Sequence, residues 1–495
     1  MPEIDGIMNP YRSLFTLFCF STQHFIQMKT NNTRRDFLKK SVLGGFALGT
    51  GGFATGTIGL GQNTETLKET IRPRQGKSVM GFRCDPIPTV RIAVIGLSRG
   101  SGAVYRLARI EGASVVAISD LLPDRIAATQ KHLRDAGHSE AAAYSGEEDW
   151  KKICERDDID LIYSATPWDL HVPIALYAMK NGKHAATEVP VALTVEGCWA
   201  LVDTAEQTQR HCMMLENCCY DFFELDTLNM ARHDVFGEIY HGECAYIHEA
   251  RGFHFSDRDF PKRWRLEYYK KHTGNLYPTH GLGPIAQIMG INRGDRFDYL
   301  TSMSTNHYGI AQYTERTFGK DSPEAKTTYQ LGDMNTTMVR TVGGRTILIQ
   351  FDITSPRPYD RIHKISGTKG YAVKYPEERI ALDPEPNAFL KPEDMKALME
   401  KYKHPLTKYI GEKARTVGGH GGMDFMMDWR LIYCLRNGLP LDQDVYDAAT
   451  WSCIVELSEQ SVLNRSNTVD VPDFTRGDWK NAKPWPVIDM VDVFC

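Results

Sequence analysis

Val90-Arg91-Ile92-Ala93-Val94-Ile95-Gly96 is a short β-branched run that enters a glycine turn, Gly96-Leu97-Ser98-Arg99-Gly100-Ser101-Gly102. Helical periodicity follows from Val104 to Ile110, so the segment predicts a buried strand, a tight turn and a helix. The pattern recurs. Ala113 to Ser119 is a second apolar run, ending at Asp120. Asp160 to Thr166 is a third, followed by a helix through Ala175 to Met179, and Gly182 to Glu188 is a fourth. Strands alternating with helices predict βαβ units and a parallel sheet. After about Cys212 the texture changes to alternating runs, Gly237 to Glu243, Thr336 to Val342 and Thr346 to Asp352. These read as antiparallel strands with one solvated face. Helices are expected near Pro284 to Ile291, Met423 to Asn437 and Val445 to Asn464. The expected fold class is α/β: an N-terminal Rossmann domain with a doubly wound parallel sheet, then a C-terminal α/β domain with a mostly antiparallel open sheet.

Upstream, Thr33-Arg34-Arg35-Asp36-Phe37-Leu38-Lys39-Lys40 has the form of a twin-arginine export signal. Val42 to Leu60 is apolar, glycine-rich and only weakly hydrophobic, which suits a signal region better than a membrane anchor. Met28-Lys29-Thr30-Asn31-Asn32 resembles an ordinary start, so translation is expected to begin at Met28. The expected product is exported, periplasmic or secreted, and its first partner is the twin-arginine translocation machinery. A formal net charge of -4 offers no basic stripe for nucleic acid. The 11 cysteines form neither a CxxC metal pattern nor a disulfide framework, so no metal is expected. Folding in the reducing cytoplasm before export accounts for free thiols. The oligomeric state is open, a homo-oligomer included.

Backbone amides at a helix start bind pyrophosphate, and glycines permit its close approach. Gly96, Arg99 and Gly100 therefore read as a dinucleotide turn, although Ser98 and Ser101 stand at two positions of the usual glycine pattern. Asp120 ends the next strand at the distance expected of a ribose-binding acid. A carboxylate there repels a 2′-phosphate and favours NAD over NADP; the alternative is a helix N-cap before Pro123. Trp168-Asp169-Leu170-His171 and Glu188-Val189-Pro190 follow the next two strands, at the carboxyl edge where ligands bind. An exported protein meets no exchangeable nicotinamide pool. Its cofactor must stay tightly bound and return to its starting redox state in each turnover, which favours redox-neutral chemistry. The expected boundaries are a signal region at 1–61, a linker at 62–88, an NAD-binding domain at 89–212 and a substrate-binding domain at 213–495.

This order of motifs resembles the Gfo/Idh/MocA oxidoreductases. Most of that family carries Glu-Lys-Pro, whose lysine serves acid–base chemistry on a sugar hydroxyl; Val189 replaces it here. The chain is more similar to glycoside hydrolase family 109, the NAD-dependent α-N-acetylgalactosaminidases. The resemblance rests on Ala165-Thr166-Pro167-Trp168, Glu188-Val189-Pro190, Glu216-Asn217, Asn275-Leu276-Tyr277-Pro278-Thr279-His280-Gly281-Leu282-Gly283-Pro284, Asn292-Arg293-Gly294-Asp295, Ser355-Pro356-Arg357-Pro358-Tyr359 and Gly418-Gly419-His420-Gly421-Gly422-Met423-Asp424. It implies NAD contacts at Arg99, Gly100, Asp120, Trp168, Asp169, Leu170, His171, Glu188, Val189 and Asn217. It implies sugar contacts at Tyr246, Arg265, Tyr277, Pro278, Thr279, His280 and Tyr359, with a glycan or glycoconjugate as substrate.

Tyr277 and His280, three residues apart at an expected helix start, can share one face. His carries a proton near neutral pH and Tyr polarises a hydroxyl, so this pair is the expected catalytic set. Gly281 and Gly283 would let backbone approach a flat ring. The bland alternatives are a His bonded within its helix and a packed Tyr. Arg265 could equally lie in a solvated basic turn, and Tyr359 could be a packed loop residue. His420 sits in a glycine loop and stays outside the catalytic set. NAD-dependent glycosidases are exceptions to the carboxylate-pair scheme. The implied route is oxidation at C3, proton loss at C2, elimination of the C1 oxygen, addition of water and return of the hydride. An exported sugar oxidoreductase with tightly bound nicotinamide is the alternative.

Overall fold

The computed structural model describes residues 72–258, 260–384 and 387–484. The signal region at 1–61, with Arg34 and Arg35, and the start of the linker lie outside the described residues. The β-branched run forms β1 (Val90–Ile95) and the glycine turn delivers α1 (Gly100–Leu107). There follow β2 (Ala113–Ser119), α2 (Pro123–Asp135), β3 (Ala142–Tyr144), α3 (Asp149–Cys154), β4 (Leu161–Ser164), α4 (Trp168–Lys180), β5 (His184–Thr187), α5 (Val195–Thr208) and β6 (Cys212–Met214). The six strands form one parallel sheet in the order β3-β2-β1-β4-β5-β6. The order reverses between β1 and β4, which opens a crevice at the carboxyl ends of the strands. Register aligns those ends: Ile95 stands beside Ser119 and Ser164, Ser164 beside Thr187, and Thr187 beside Met214. The sheet thus runs past 212, where the sequence suggested a boundary.

The second half begins with α6 (Phe222–Arg232) and β7 (Ile239–Ile247), followed by α7 (Trp264–Lys271) and α8 (Thr279–Ile288). Then come β8 (Phe297–Ser304), α9 (Tyr308–Phe318), β9 (Asn335–Thr341), β10 (Thr346–Asp352), β11 (Lys364–Gly367), β12 (Gly370–Val373) and β13 (Arg379–Leu382). The chain continues through α10 (Pro392–Lys401), α11 (Pro405–Val417), α12 (Met423–Asn437), α13 (Val445–Ser452) and α14 (Ile454–Leu463) to the short β14 (Val469–Asp470). The sheet order is β13-β12-β11-β7-β10-β9-β8-β14. It is mostly antiparallel, as expected, but β7 and β10 pair in parallel. Alternation along a strand reports a solvated face and not the direction of its neighbour. The single late helix expected over Val445 to Asn464 is two helices that meet at Cys453. No helix among the described residues is long and apolar enough to cross a membrane.

Two further expectations change. Residues 72–88, read as a linker, lie against the body: Arg74 pairs with Glu206 at 2.9 Å and Asp478 at 2.7 Å, and the Ile87 amide donates to the Leu435 carbonyl at 3.1 Å. Its polar composition is matched by carboxylates more than 100 residues away, which local pattern cannot reveal. The helix expected near Pro284 begins five residues earlier, at Thr279. Gly281 and Gly283 lower local helix propensity, yet packing requires them. A Cβ on Gly281 would stand 2.5 Å from the Ala245 amide nitrogen of β7, and one on Gly283 would stand 3.0 Å from Glu216 Cγ. These glycines seat α8 against β7 and the segment after β6, rather than against a ligand ring.

Candidate active site

The crevice begins at the glycine turn. Gly96 has φ +85°, and a Cβ there would stand 2.5 Å from the Ala165 carbonyl oxygen. A Cβ on Gly100 would stand 2.8 Å from Val94 Cγ1. The start of α1 carries no side-chain cap and no acid in its first turn, and exposed Arg99 precedes it. Uncapped amides beside a cation suit a pyrophosphate. Asp120 accepts from the Leu97 amide at 2.7 Å and the Leu122 amide at 2.9 Å, so its carboxylate is held at the end of β2. The residues present therefore fit a dinucleotide.

The loops after β4 and β5 are tied together. Trp168 Nε1 donates to the Val189 carbonyl at 3.2 Å. His171 sets one ring nitrogen 2.8 Å from the Pro190 carbonyl and the other 2.9 Å from that of Thr166. Both nitrogens are engaged and the ring is buried, so His171 braces the two loops and presents no free nitrogen to a cofactor. Asp169 is exposed on the first turn of α4, Leu170 packs on the core, Val189 is buried and Glu188 is half-buried. Asn217 donates to Asp424 at 2.6 Å.

Against this edge the second half sets a cluster of rings. Tyr246, near the end of β7, lies 4.8 Å from the Tyr277 ring, 5.3 Å from His280 and 6.2 Å from Tyr359. Tyr277 and His280 meet edge to face at 4.9 Å, so their spacing does place them together. Arg265 is not in a solvated turn. Its guanidinium lies 5.2 Å from the Tyr277 ring and 4.9 Å from that of Trp168, which links α7 to the start of α4. Its Nε is buried without a hydrogen-bond partner, and no carboxylate pairs with it among the described residues. Burial raises the Tyr277 phenol, with Arg265 opposing the shift. Pro278 precedes α8, and Thr279 is buried in its first turn.

The contact that sequence reading missed lies behind this cluster. His280 Nδ1 is 2.7 Å from Glu216 Oε1, and the Glu216 side chain is 0% exposed. The Cys218 amide donates to the same oxygen at 3.1 Å. Glu216 Oε2 and the Thr279 hydroxyl are both buried, and Thr279 helps to lower the Glu216 pKa. Burial works against the Glu216 charge, but His280 and the Cys218 amide prevail and hold its pKa below the usual value. Glu216, Cys218 and His280 could together bracket a metal ion. Burial pushes the Cys218 thiol well up and keeps it protonated, and the imidazole–carboxylate pair accounts for the other two.

A second such pair stands nearby. His420 Nδ1 is 2.9 Å from Asp424 Oδ2, and Asp424 also accepts from Asn217. Burial opposes the Asp424 charge, yet the His420 bond and Arg106 bring its pKa down to about 2. The His420 side chain is 52% exposed, and it lies close enough to help lower the pKa of His248, beside Tyr246. Gly418 to Gly422, His420 included, all have positive φ, a path that glycine permits.

A doubly wound dinucleotide fold whose carboxyl edge meets an aromatic, histidine-bearing pocket on an open sheet defines an oxidoreductase-like architecture. Residues 90–216 match the model of the oxidoreductase family's NAD-binding Rossmann fold. A levoglucosan dehydrogenase solved with NADH has the same fold, with TM-score 0.58, 17% identity and coverage of 78% of this chain and all of that one. The scyllo-inositol dehydrogenase of Lactobacillus casei superposes with TM-score 0.55 at 14% identity, covering 77% and 99% of the two chains. Residues 220–481 match the glycosyl hydrolase 109 C-terminal domain. The chain is 53% identical over 408 residues to an alpha-N-acetylgalactosaminidase of Bacteroides fragilis, covering 82% of this chain and 96% of that one. A glycosyl hydrolase family 109 protein of Porphyromonas gingivalis is 49% identical, with coverages of 82% and 89%. The chain belongs to glycosyl hydrolase family 109.

Proposed function

We propose that the protein is an exported α-N-acetylgalactosaminidase that hydrolyses terminal α-linked N-acetylgalactosamine from a glycan and keeps NAD tightly bound. The observation that carries this reading is the burial of Glu216 behind His280. A glycosidase of the carboxylate-pair type presents acids to the sugar; here an imidazole stands in front and the carboxylate holds it. His280 is suited to move a proton at C2 or at the C3 hydroxyl, with Glu216 fixing the hydrogen on Nδ1 and stabilising the imidazolium. His420, backed by Asp424, provides a second proton carrier at the edge of the pocket. Tyr246, Tyr277 and Tyr359 supply ring faces and hydroxyls for a pyranose, and Arg265 holds its charge among them.

The Gly96 turn, Arg99, Gly100, Asp120, Glu188 and Asn217 would hold the cofactor, and Asp120 favours NAD over NADP. Bound there, NAD supplies a reversible hydride acceptor for a sugar carbon. Oxidation next to C2 makes the C2 hydrogen exchangeable, whereas a carboxylate-pair glycosidase never touches it. Turnover of an aryl α-N-acetylgalactosaminide in D₂O should therefore place deuterium at C2 of the released sugar, and the denatured enzyme should release NAD. Hydrolysis without C2 exchange would sink the mechanism, and an enzyme that consumes external NAD stoichiometrically would sink the retained cofactor.

A further inference from the structure

The Tyr246 hydroxyl has one hydrogen-bond partner among the described residues, His248 Nδ1 at 3.0 Å. Tyr246 lies one residue inside the end of β7 and His248 one residue beyond it. Residues two apart in an extended chain share a face, so the pairing follows from the strand itself. The His248 amide donates to the Asp352 carbonyl at 2.8 Å, which prolongs the β7–β10 pairing and fixes the residue's backbone. Its ring is held edge-on to Tyr359 at 5.4 Å. His248 therefore touches two of the tyrosines that line the sugar pocket. Its Nε2 has no partner among the described residues.

The direction of the bond follows from acidity. A phenol is a stronger acid than a neutral imidazole N–H, and an imidazole nitrogen is a stronger base than a phenol oxygen. The pair therefore aligns as O–H···Nδ1, with the His248 hydrogen on Nε2. Burial raises the Tyr246 phenol against the opposing charges of Arg265 and Arg99. Burial, then Arg99, lowers the His248 imidazole; His280 and His420 act in the same direction, and Glu249 opposes them. Both groups are thus neutral in the resting site.

We propose that His248 is a positioning residue which, by taking the Tyr246 hydrogen at Nδ1, leaves the Tyr246 oxygen able only to accept, so that the pocket selects a sugar bearing a hydrogen donor at that point, a ring hydroxyl or an acetamido N–H. The substrate part of this inference rests on the proposed glycosidase reading; the bond itself does not. A substituent that can only accept would face an oxygen lone pair and bind poorly.

Imidazole nitrogen spectra of the purified enzyme, ¹⁵N-labelled in its histidine side chains, test the bond directly. His248→Gln identifies the signals. Nδ1 of His248 should be unprotonated and Nε2 protonated, and Tyr246→Phe should shift Nδ1. A protonated Nδ1, or no response to Tyr246→Phe, would overturn the inference. Kinetics on an aryl α-N-acetylgalactosaminide provide the second arm. His248→Asn keeps a polar atom near Nδ1 and should stay within about threefold of wild type. His248→Ala and His248→Gln should each lose roughly tenfold in kcat/KM, the scale of one hydrogen bond. In a Tyr246→Phe background, His248→Ala should cost nothing further. Equal losses in both backgrounds, or rescue by Gln in place of Asn, would refute the positioning role. An inactive wild-type enzyme would refute the glycosidase reading, and the spectra would still decide the bond.

Discussion

Glu216→Gln removes one charge and almost no volume from a site that water does not reach, so its effect can be worked from the geometry. The Glu216 Oε1 atom takes two donors, His280 Nδ1 at 2.7 Å and the Cys218 amide at 3.1 Å. Two donors at one position select the oxygen end of a glutamine amide over the nitrogen end. The variant should therefore keep the His280 tautomer and orientation and lose only the carboxylate's hold on the imidazolium. A hydrogen bond to a charged group contributes about 1.5–3 kcal/mol, so kcat/KM should fall roughly 10²-fold. Losing the tautomer as well would bring the loss nearer the ~10⁴-fold seen when a triad's carboxylate is replaced. Glu216→Ala also strips the Cys218 amide of its partner and empties a buried volume, so it should lose more activity and melt at a lower temperature. The assay is hydrolysis of an aryl α-N-acetylgalactosaminide, with bound NAD measured after denaturation to confirm an intact cofactor site. A Glu216→Gln enzyme within threefold of wild type, folded and cofactor-loaded, would show that His280 does not work as an imidazolium held by Glu216.

Acid should destabilise the fold from about pH 6.5 downward, the unperturbed value for histidine. Burial lowers His184 and His404 to about 3 and His363 to about 4, and it also lowers His171, His211 and His254. Below their unfolded pKa of about 6.5 the unfolded chain binds these protons and the folded protein does not, so stability falls with pH. Burial raises Asp226 and Asp428 to about 6 and also raises Asp444, Glu206 and Glu378, and these five acids oppose the trend because the folded state takes up their protons first. The histidines outnumber them, so denaturant midpoints should drop steeply between about pH 6 and pH 4; a rise over that range would refute the assignment of neutral buried imidazoles. For export, Arg34→Lys combined with Arg35→Lys should retain the protein in the cytoplasm, whereas a chain starting at Met28 should be exported normally. Fractionation checks both, and normal export of the double variant would exclude a twin-arginine signal.

What was legible in the sequence divides by the range of the interaction. The β1 run, its glycine turn and the acid ending β2 are local, and each is found where pattern and turn chemistry place it. The helix over Met423–Asn437 was likewise read to its ends. The partners of those elements were not legible. Parallel pairing of β7 with β10 joins strands about 100 residues apart, and alternation along either strand carries no information about the other. The Glu216–His280 contact spans 64 residues and depends on Gly281 and Gly283 letting α8 come close. In the sequence, Glu216 stood out only as the neighbour of Asn217. The Tyr246–His248 bond differs, because its two members lie on one strand face at a spacing of two and could have been paired by period alone. The site is thus assembled from local pieces with recognisable chemistry, brought together by long-range packing. The proposed roles divide in the same way: His280 can be suspected from residue type, but Glu216, the carboxylate behind it, emerges only when segments 64 residues apart meet, whereas Asp424 stands four residues from His420 and could have been paired with it by helical spacing.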